Sequence, residues 1–193
     1  HAHGGVVCAT HPRSDYFKNY PFDAVDVEPL KTLSGSAVED AWLKGKRIAV
    51  MNSVDLFGFR RFLDYPAVNF IYIDGEPCRE SVNLAIKNRR VIAGTMFDEC
   101  DIRLGEFYPG DIVSVSDIEN DCLTVNATCS NGNVESLKVY SGAEVVYEKS
   151  GFNLYKISEK INLKGLPLSK FIRVEVQGEN ELFIAVSTPF FIK

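Results

Sequence analysis

Apolar and polar positions follow two rhythms along the chain, and the change falls near Val91. Upstream, apolar runs of strand length alternate with stretches of helical period. Residues 5–10 (Gly-Val-Val-Cys-Ala-Thr) form a short apolar run bounded by Gly4 and by His11-Pro12, which predicts a buried strand rather than a helix. Residues 22–27 alternate and stop before Glu28-Pro29, predicting a second short strand. Ser36 stands three positions before Glu39, the spacing of a capping box. It predicts a helix through Ala41, Trp42 and Leu43 that stops at Gly45. Residues 47–51 read as another buried strand, followed by Asn52-Ser53-Val54-Asp55, and residues 70–73 as a further one. Pro77 marks a helix start, and Val82, Ala85 and Ile86 give that helix its apolar stripe. Strands alternating with helices predict βα units in a mostly parallel sheet.

Downstream the helical period disappears. Short runs at 112–116, 122–129, 134–140, 144–148, 154–161, 171–176, 182–186 and 190–193 are separated by turn residues. Asn131-Gly132 predicts a tight hairpin. This spacing predicts an antiparallel sandwich, and hence two domains, 1–91 and 92–193.

Composition narrows the partners. The formal net charge is −5 and no basic run is present, which argues against nucleic acid or an anionic membrane as the main partner. No apolar stretch is long enough to span a bilayer, and the opening His1-Ala2-His3 does not have the pattern of a signal peptide. The five cysteines (Cys8, Cys78, Cys100, Cys122 and Cys129) are odd in number and lack C-x-x-C spacing. They predict reduced, mostly buried thiols in a cytoplasmic protein. The few βα units and a strand so close to the first residue predict that the chain is the C-terminal part of something larger.

Candidate chemistry gathers at predicted strand ends. His11, Asp26 or Glu28, and Asp55 would share one mouth of the sheet, where parallel α/β folds bind ligands and metals. Imidazole and carboxylate groups hold divalent ions, and such ions activate water for hydrolysis. Each residue also has an ordinary reading: Asp26 facing solvent, Glu28-Pro29 as turn chemistry, Asp55 as a cap. Ser53 lies beside Asp55 without a G-x-S-x-G elbow. Cys8 and His11, three apart on a strand, point to opposite faces and do not predict a thiol–imidazole pair. Tyr108, Tyr140, Tyr147 and Tyr155 read either as cross-strand packing or as a platform for a sugar.

The segment Gly4-Gly5-Val6-Val7-Cys8-Ala9-Thr10-His11-Pro12 resembles the glycine–histidine–proline strand of the PHP (polymerase and histidinol phosphatase) phosphoesterases. Residues 22–27 are similar to that family's next strand, and residues 49–58 stand where it carries its last metal motif. Residues 71–77 and 88–95 are similar to barrel-closing segments of one branch. That branch appends a β-sandwich whose closing strands resemble residues 173–176 and 185–192. The resemblance implies an α/β plus all-β fold: the C-terminal part of a distorted (β/α)7 barrel, then an antiparallel Ig-like β-sandwich. It implies His11 and Asp55 as metal ligands, with Asp26, Glu28 and Ser53 as additional candidates from the residue reading. It further implies divalent zinc, manganese or iron, a small phosphorylated substrate, and metal-dependent hydrolysis of phosphate esters. The chain departs from the family at Phe57, which replaces the last metal-binding histidine, and the family's early histidine motifs are absent. The alternative reading is therefore a catalytically inactive relative whose sandwich is an interaction or carbohydrate-binding module. The oligomeric state stays open.

Overall fold

The computed structural model describes residues 4–10, 17, 20–27, 32–53, 66–180 and 183–193. Strands β1 (Cys8–Thr10), β2 (Ala24–Asp26) and β3 (Ala49–Met51) form a parallel sheet in that order. Helix α1 (Ala37–Leu43) lies between β2 and β3 in sequence. Its start is encoded locally: the Ser36 hydroxyl accepts from the Glu39 N–H at 3.1 Å, and Gly45 leaves the helix at φ +81°. The Glu39 carboxylate does not return to Ser36. It accepts from the Gly35 N–H at 2.7 Å and reaches onward into the core.

The remaining chain is mostly β. It runs through β4 (Ala67–Ile71), α2 (Arg79–Lys87), β5 (Val91–Thr95), β6 (Glu99–Leu104), β7 (Ile112–Val113) and α3 (Val115–Asn120). Then come β8 (Cys122–Thr128), β9 (Val134–Ser141), β10 (Glu144–Leu154), β11 (Lys156–Asn162), β12 (Phe171–Gly178), β13 (Ile184–Ser187) and β14 (Phe190–Ile192). An eight-stranded sheet follows the order β10-β9-β12-β13-β5-β4, with β14 beside β12 and β7 beside β14. A three-stranded antiparallel sheet follows the order β11-β8-β6.

The large sheet is a middle layer. On one face, Leu137, Val139, Val174 and Val176 meet Ile102, Leu123, Val125 and Ile157 of the antiparallel sheet. On the other, Ala93, Phe171, Ile184 and Val186 meet Ala9, Val25 and Val50 of the parallel sheet and Trp42 of α1. Successive β12 side chains therefore enter different cores, which is why Phe171 to Val176 are all buried. One backbone link crosses the same boundary: the Val50 N–H donates to Thr188 Oγ1 at 3.1 Å.

These layers correct the expected (β/α)7 barrel. Among the described residues there are three helices, the all-parallel sheet has three strands, and no barrel closes. The cause lies in β4 and β5. Residues 70–73 read as a further strand of the parallel sheet and 88–95 resemble a barrel-closing segment, but β4 and β5 pair antiparallel with each other, and β5 pairs in turn with β13. Asn131-Gly132 also departs from expectation. It joins β8 to β9 across two sheets, whereas the β9–β10 hairpin turns through Gly142 at φ +62°. The run at 112–116 breaks after Val113, because Ser114 and Asp117 cap each other and launch α3. No helix among the described residues is long and apolar enough to cross a membrane.

Candidate functional site

Strand β2 ends at Asp26, and the parallel register places Thr10, Asp26 and Met51 in one row. Side chains two apart on a strand share a face, so Cys8, Thr10, Asp26 and Ser53 all belong to the face of Ala24 and Ala49. Nearer the amino ends of the strands, Val82 and Ile86 of α2 cover that face. Cys8 at the amino end of β1, Thr10 at its carboxyl end and Ser53 beyond β3 are exposed, while Asp26 is only 8% exposed.

The Asp26 carboxylate is half satisfied. The Ser53 hydroxyl donates to Oδ2, whereas Oδ1 is buried with no hydrogen-bond partner among the described residues. A buried carboxylate oxygen without a donor is costly and needs a reason to persist. Its neighbour Cys8 feels the charge: burial, and then the Asp26 carboxylate, push the thiol up to about 11. Cys8 Sγ makes a 4.0 Å approach to the Ala9 carbonyl.

The strand end that carries Ser53 is fixed from the opposite face. Asn52 donates from its side-chain nitrogen to the Gly94 carbonyl at 2.9 Å and to Thr95 Oγ1 at 2.8 Å. Its backbone N–H donates to Asn69 Oδ1 at 2.8 Å, and Asn69 Nδ2 returns a bond to the Asn52 carbonyl at 2.7 Å. Four bonds to β4 and β5 thus hold the residue next to Ser53.

Of the residues expected at this mouth, Asp26 and Ser53 come together. Asp26 is buried, so its solvent-facing reading fails. His11, Glu28 and Asp55 lie outside the described residues, as do Phe57 and His1-Ala2-His3. In sequence, His11 follows the last residue of β1 and Asp55 stands two positions beyond Ser53. Among the described residues no group of three or more histidine, cysteine or acidic side chains could hold a metal. All five cysteines are free, with Cys8 and Cys78 exposed.

The other polar clusters are internally engaged. Arg173 is fully buried, and its guanidinium donates to Glu175 and to Glu39, the latter at 2.8 Å. Glu175 also accepts from Thr32 Oγ1, the Leu33 N–H and the Tyr140 hydroxyl. Sequence reasoning missed this network. Its signal was present: two charges two apart in the apolar run 171–176 must share one buried face. Tyr140 is thereby consumed, and Tyr108 lies between Arg90 and Arg103, each 4.8 Å from its ring centre. Tyr147 packs against the core, which leaves Tyr155, at 63% exposed, as the open member of the four tyrosines. An open groove near Phe70 carries Asp98, Glu99 and Asp101, but Ser130, Thr128, and Tyr72 with Arg103 respectively engage those acids. No protein-family model matches the chain, and neither curated proteins nor solved structures gave a match.

Proposed function

We propose that the protein is a metal-dependent hydrolase of phosphate esters, with its cation at the carboxyl ends of β1, β2 and β3. The observation that carries this reading is the buried, unpaired Oδ1 of Asp26, an anionic oxygen that lacks a positive partner. The carboxyl ends of parallel strands are the usual place for a ligand in an α/β layer. Asp26 would hold the ion together with His11 and Asp55, and the resemblance of the segment around His11-Pro12 to the PHP phosphoesterases supports the reaction class. A bound divalent ion supplies an acidified water and charge neutralisation for the phosphoryl oxygens. Ser53 fixes the second oxygen of Asp26, and Asn52 fixes the strand that carries Ser53. The five unpaired thiols, two of them exposed, support a reducing, cytoplasmic setting.

The test is metal content and hydrolysis of p-nitrophenyl phosphate after loading with manganese or zinc. Stoichiometric metal and turnover are expected for the wild type, with both lost in Asp26→Asn and His11→Ala. A wild-type protein that retains no metal and cleaves no ester overturns the reading.

A further inference from the structure

We propose that the outer edge of β6 at Cys100 receives an extended, cationic peptide segment of a partner protein, added as a short strand. This edge belongs to the antiparallel sheet, across the large sheet from Asp26, and does not depend on the metal reading. β6 pairs with β8 on one side, and among the described residues no strand pairs with the other. That other side is closed rung by rung. Leu104 exchanges backbone bonds with Phe107 at 3.1 and 2.9 Å. The Tyr72 hydroxyl accepts from the Ile102 N–H at 2.7 Å and donates to Asp101 at 2.9 Å, with the Ile102 carbonyl 3.2 Å away. Backbone direction alternates along a strand, so Cys100 turns its N–H and C=O to the same outer side. Neither forms a hydrogen bond among the described residues.

The neighbouring strand explains the open rung. Tyr72 continues the β4 ladder through its N–H, which donates to the Arg90 carbonyl at 3.1 Å. Phe70 stands two positions earlier and packs against the same core, but it has no hydroxyl to offer. Beside it opens a groove of about 410 Å³ lined by Phe70, Asp98, Glu99, Cys100, Asp101 and Asn126. The rung and the charges around it define the occupant. A free N–H and C=O on a strand edge match the C=O and N–H of one residue of an extended chain. In antiparallel register that residue lies across from Cys100, and its two neighbours stand opposite Glu99 and Asp101 on the solvent face. Asp101 is paired with Arg103 at 3.0 Å, whereas the bonds to Glu99 and Asp98 come from neutral donors, the Thr128 hydroxyl and the Ser130 hydroxyl and N–H. Those carboxylates favour lysine or arginine in the incoming segment, on either side of an apolar residue that faces Phe70.

The probe is the peptide acetyl-Lys-Val-Lys-Val-Lys-amide, titrated into the full chain and followed by residue-resolved amide exchange and nuclear magnetic resonance. Slower exchange is expected at the Cys100 amide, with the Ile102 amide, already closed by Tyr72, unchanged. The same peptide methylated on the backbone nitrogen of both valines loses the donor to the Cys100 carbonyl and should bind about tenfold more weakly. Glu99→Lys, at an exposed position, should weaken the parent peptide, and the loss should shrink as salt is raised. Acetyl-Glu-Val-Glu-Val-Glu-amide should leave Cys100 unperturbed. The dispersion of the amide spectrum confirms that the variant is folded. Any one of four results overturns the proposal: no protection of Cys100 by the lysine peptide, full binding after N-methylation, unchanged affinity in Glu99→Lys, or equal protection by the glutamate peptide.

Discussion

Two buried charges in this protein are treated in opposite ways. Arg173, at the junction of β12 with the α1 layer, is enclosed by two carboxylates and the ring of Tyr140, 3.7 Å from its guanidinium carbon. Those carboxylates in turn accept from the Gly35 and Leu33 N–H groups and from two hydroxyls, and Arg173 Nε is the one donor of the network left over. Asp26, at the end of β2, has one serine hydroxyl and a free oxygen. A charge that serves the fold gathers partners from several elements. A charge that serves a ligand keeps a position open, and the protein tolerates the cost. On this reading the first region is a clamp and the second a site.

The largest expected effect breaks the clamp. Arg173→Met leaves Glu39 and Glu175 buried without a cation, and chemical denaturation should show a loss of about 3–5 kcal/mol. Adding Glu39→Gln and Glu175→Gln should recover much of it, because the cost lies in stranded charge rather than lost packing. A single Arg173→Met variant as stable as the wild type would remove one half of the comparison.

Thr188→Val comes next. It removes the acceptor of the Val50 N–H, a buried donor, and should cost about 1–3 kcal/mol. The loss should appear as faster amide exchange confined to the parallel sheet, which tests whether that sheet depends on the large one for its order.

Asp26→Asn should run in the other direction. Replacing a half-satisfied buried carboxylate should stabilise the metal-free fold by about 1 kcal/mol, whereas on the proposed reading the same change should abolish metal binding. A substitution that stabilises the protein while removing function marks a site. If Asp26→Asn instead destabilises as much as Arg173→Met, Asp26 is a second clamp and the contrast is lost.

How far the chain could be read ahead of its structure follows the same division between local and distant partners. The Ser36 cap, the Gly45 stop and the α2 stripe depend on residues within one turn, and each appears in the structure. Most strand positions were legible from apolar runs, although β5 and β6 were not read as strands, and strand pairing was not legible. Nothing within residues 67–71 says that they run antiparallel to 91–95 rather than parallel to 49–51. Glu39 shows the limit within a single residue: its spacing from Ser36 was visible, while its bond to Arg173, 134 positions away, was not. Asp26 was legible as a carboxylate at a strand end. That one of its oxygens lacks a donor depends on everything packed around it.

The smallest effect sharpens the contrast with a paired acid in the β-rich region. Asp98 is exposed, and its carboxylate accepts from the Ser130 N–H at 2.5 Å and the Ser130 hydroxyl at 2.7 Å. The backbone bond first, and then the hydroxyl, hold its pKa below the usual carboxylate range. A depressed carboxylate stabilises the fold above its unfolded pKa, and that stability is lost as pH falls through the folded value. Solvent screening limits the contribution to a few tenths of a kcal/mol. The urea midpoint of the wild type should therefore exceed that of Asp98→Asn slightly at about pH 6, and the difference should close by about pH 2. Asp26→Asn should show the opposite sign, since it removes a buried charged group whose Oδ1 has no donor. Equal signs for the two substitutions would mean that pairing does not separate these carboxylates.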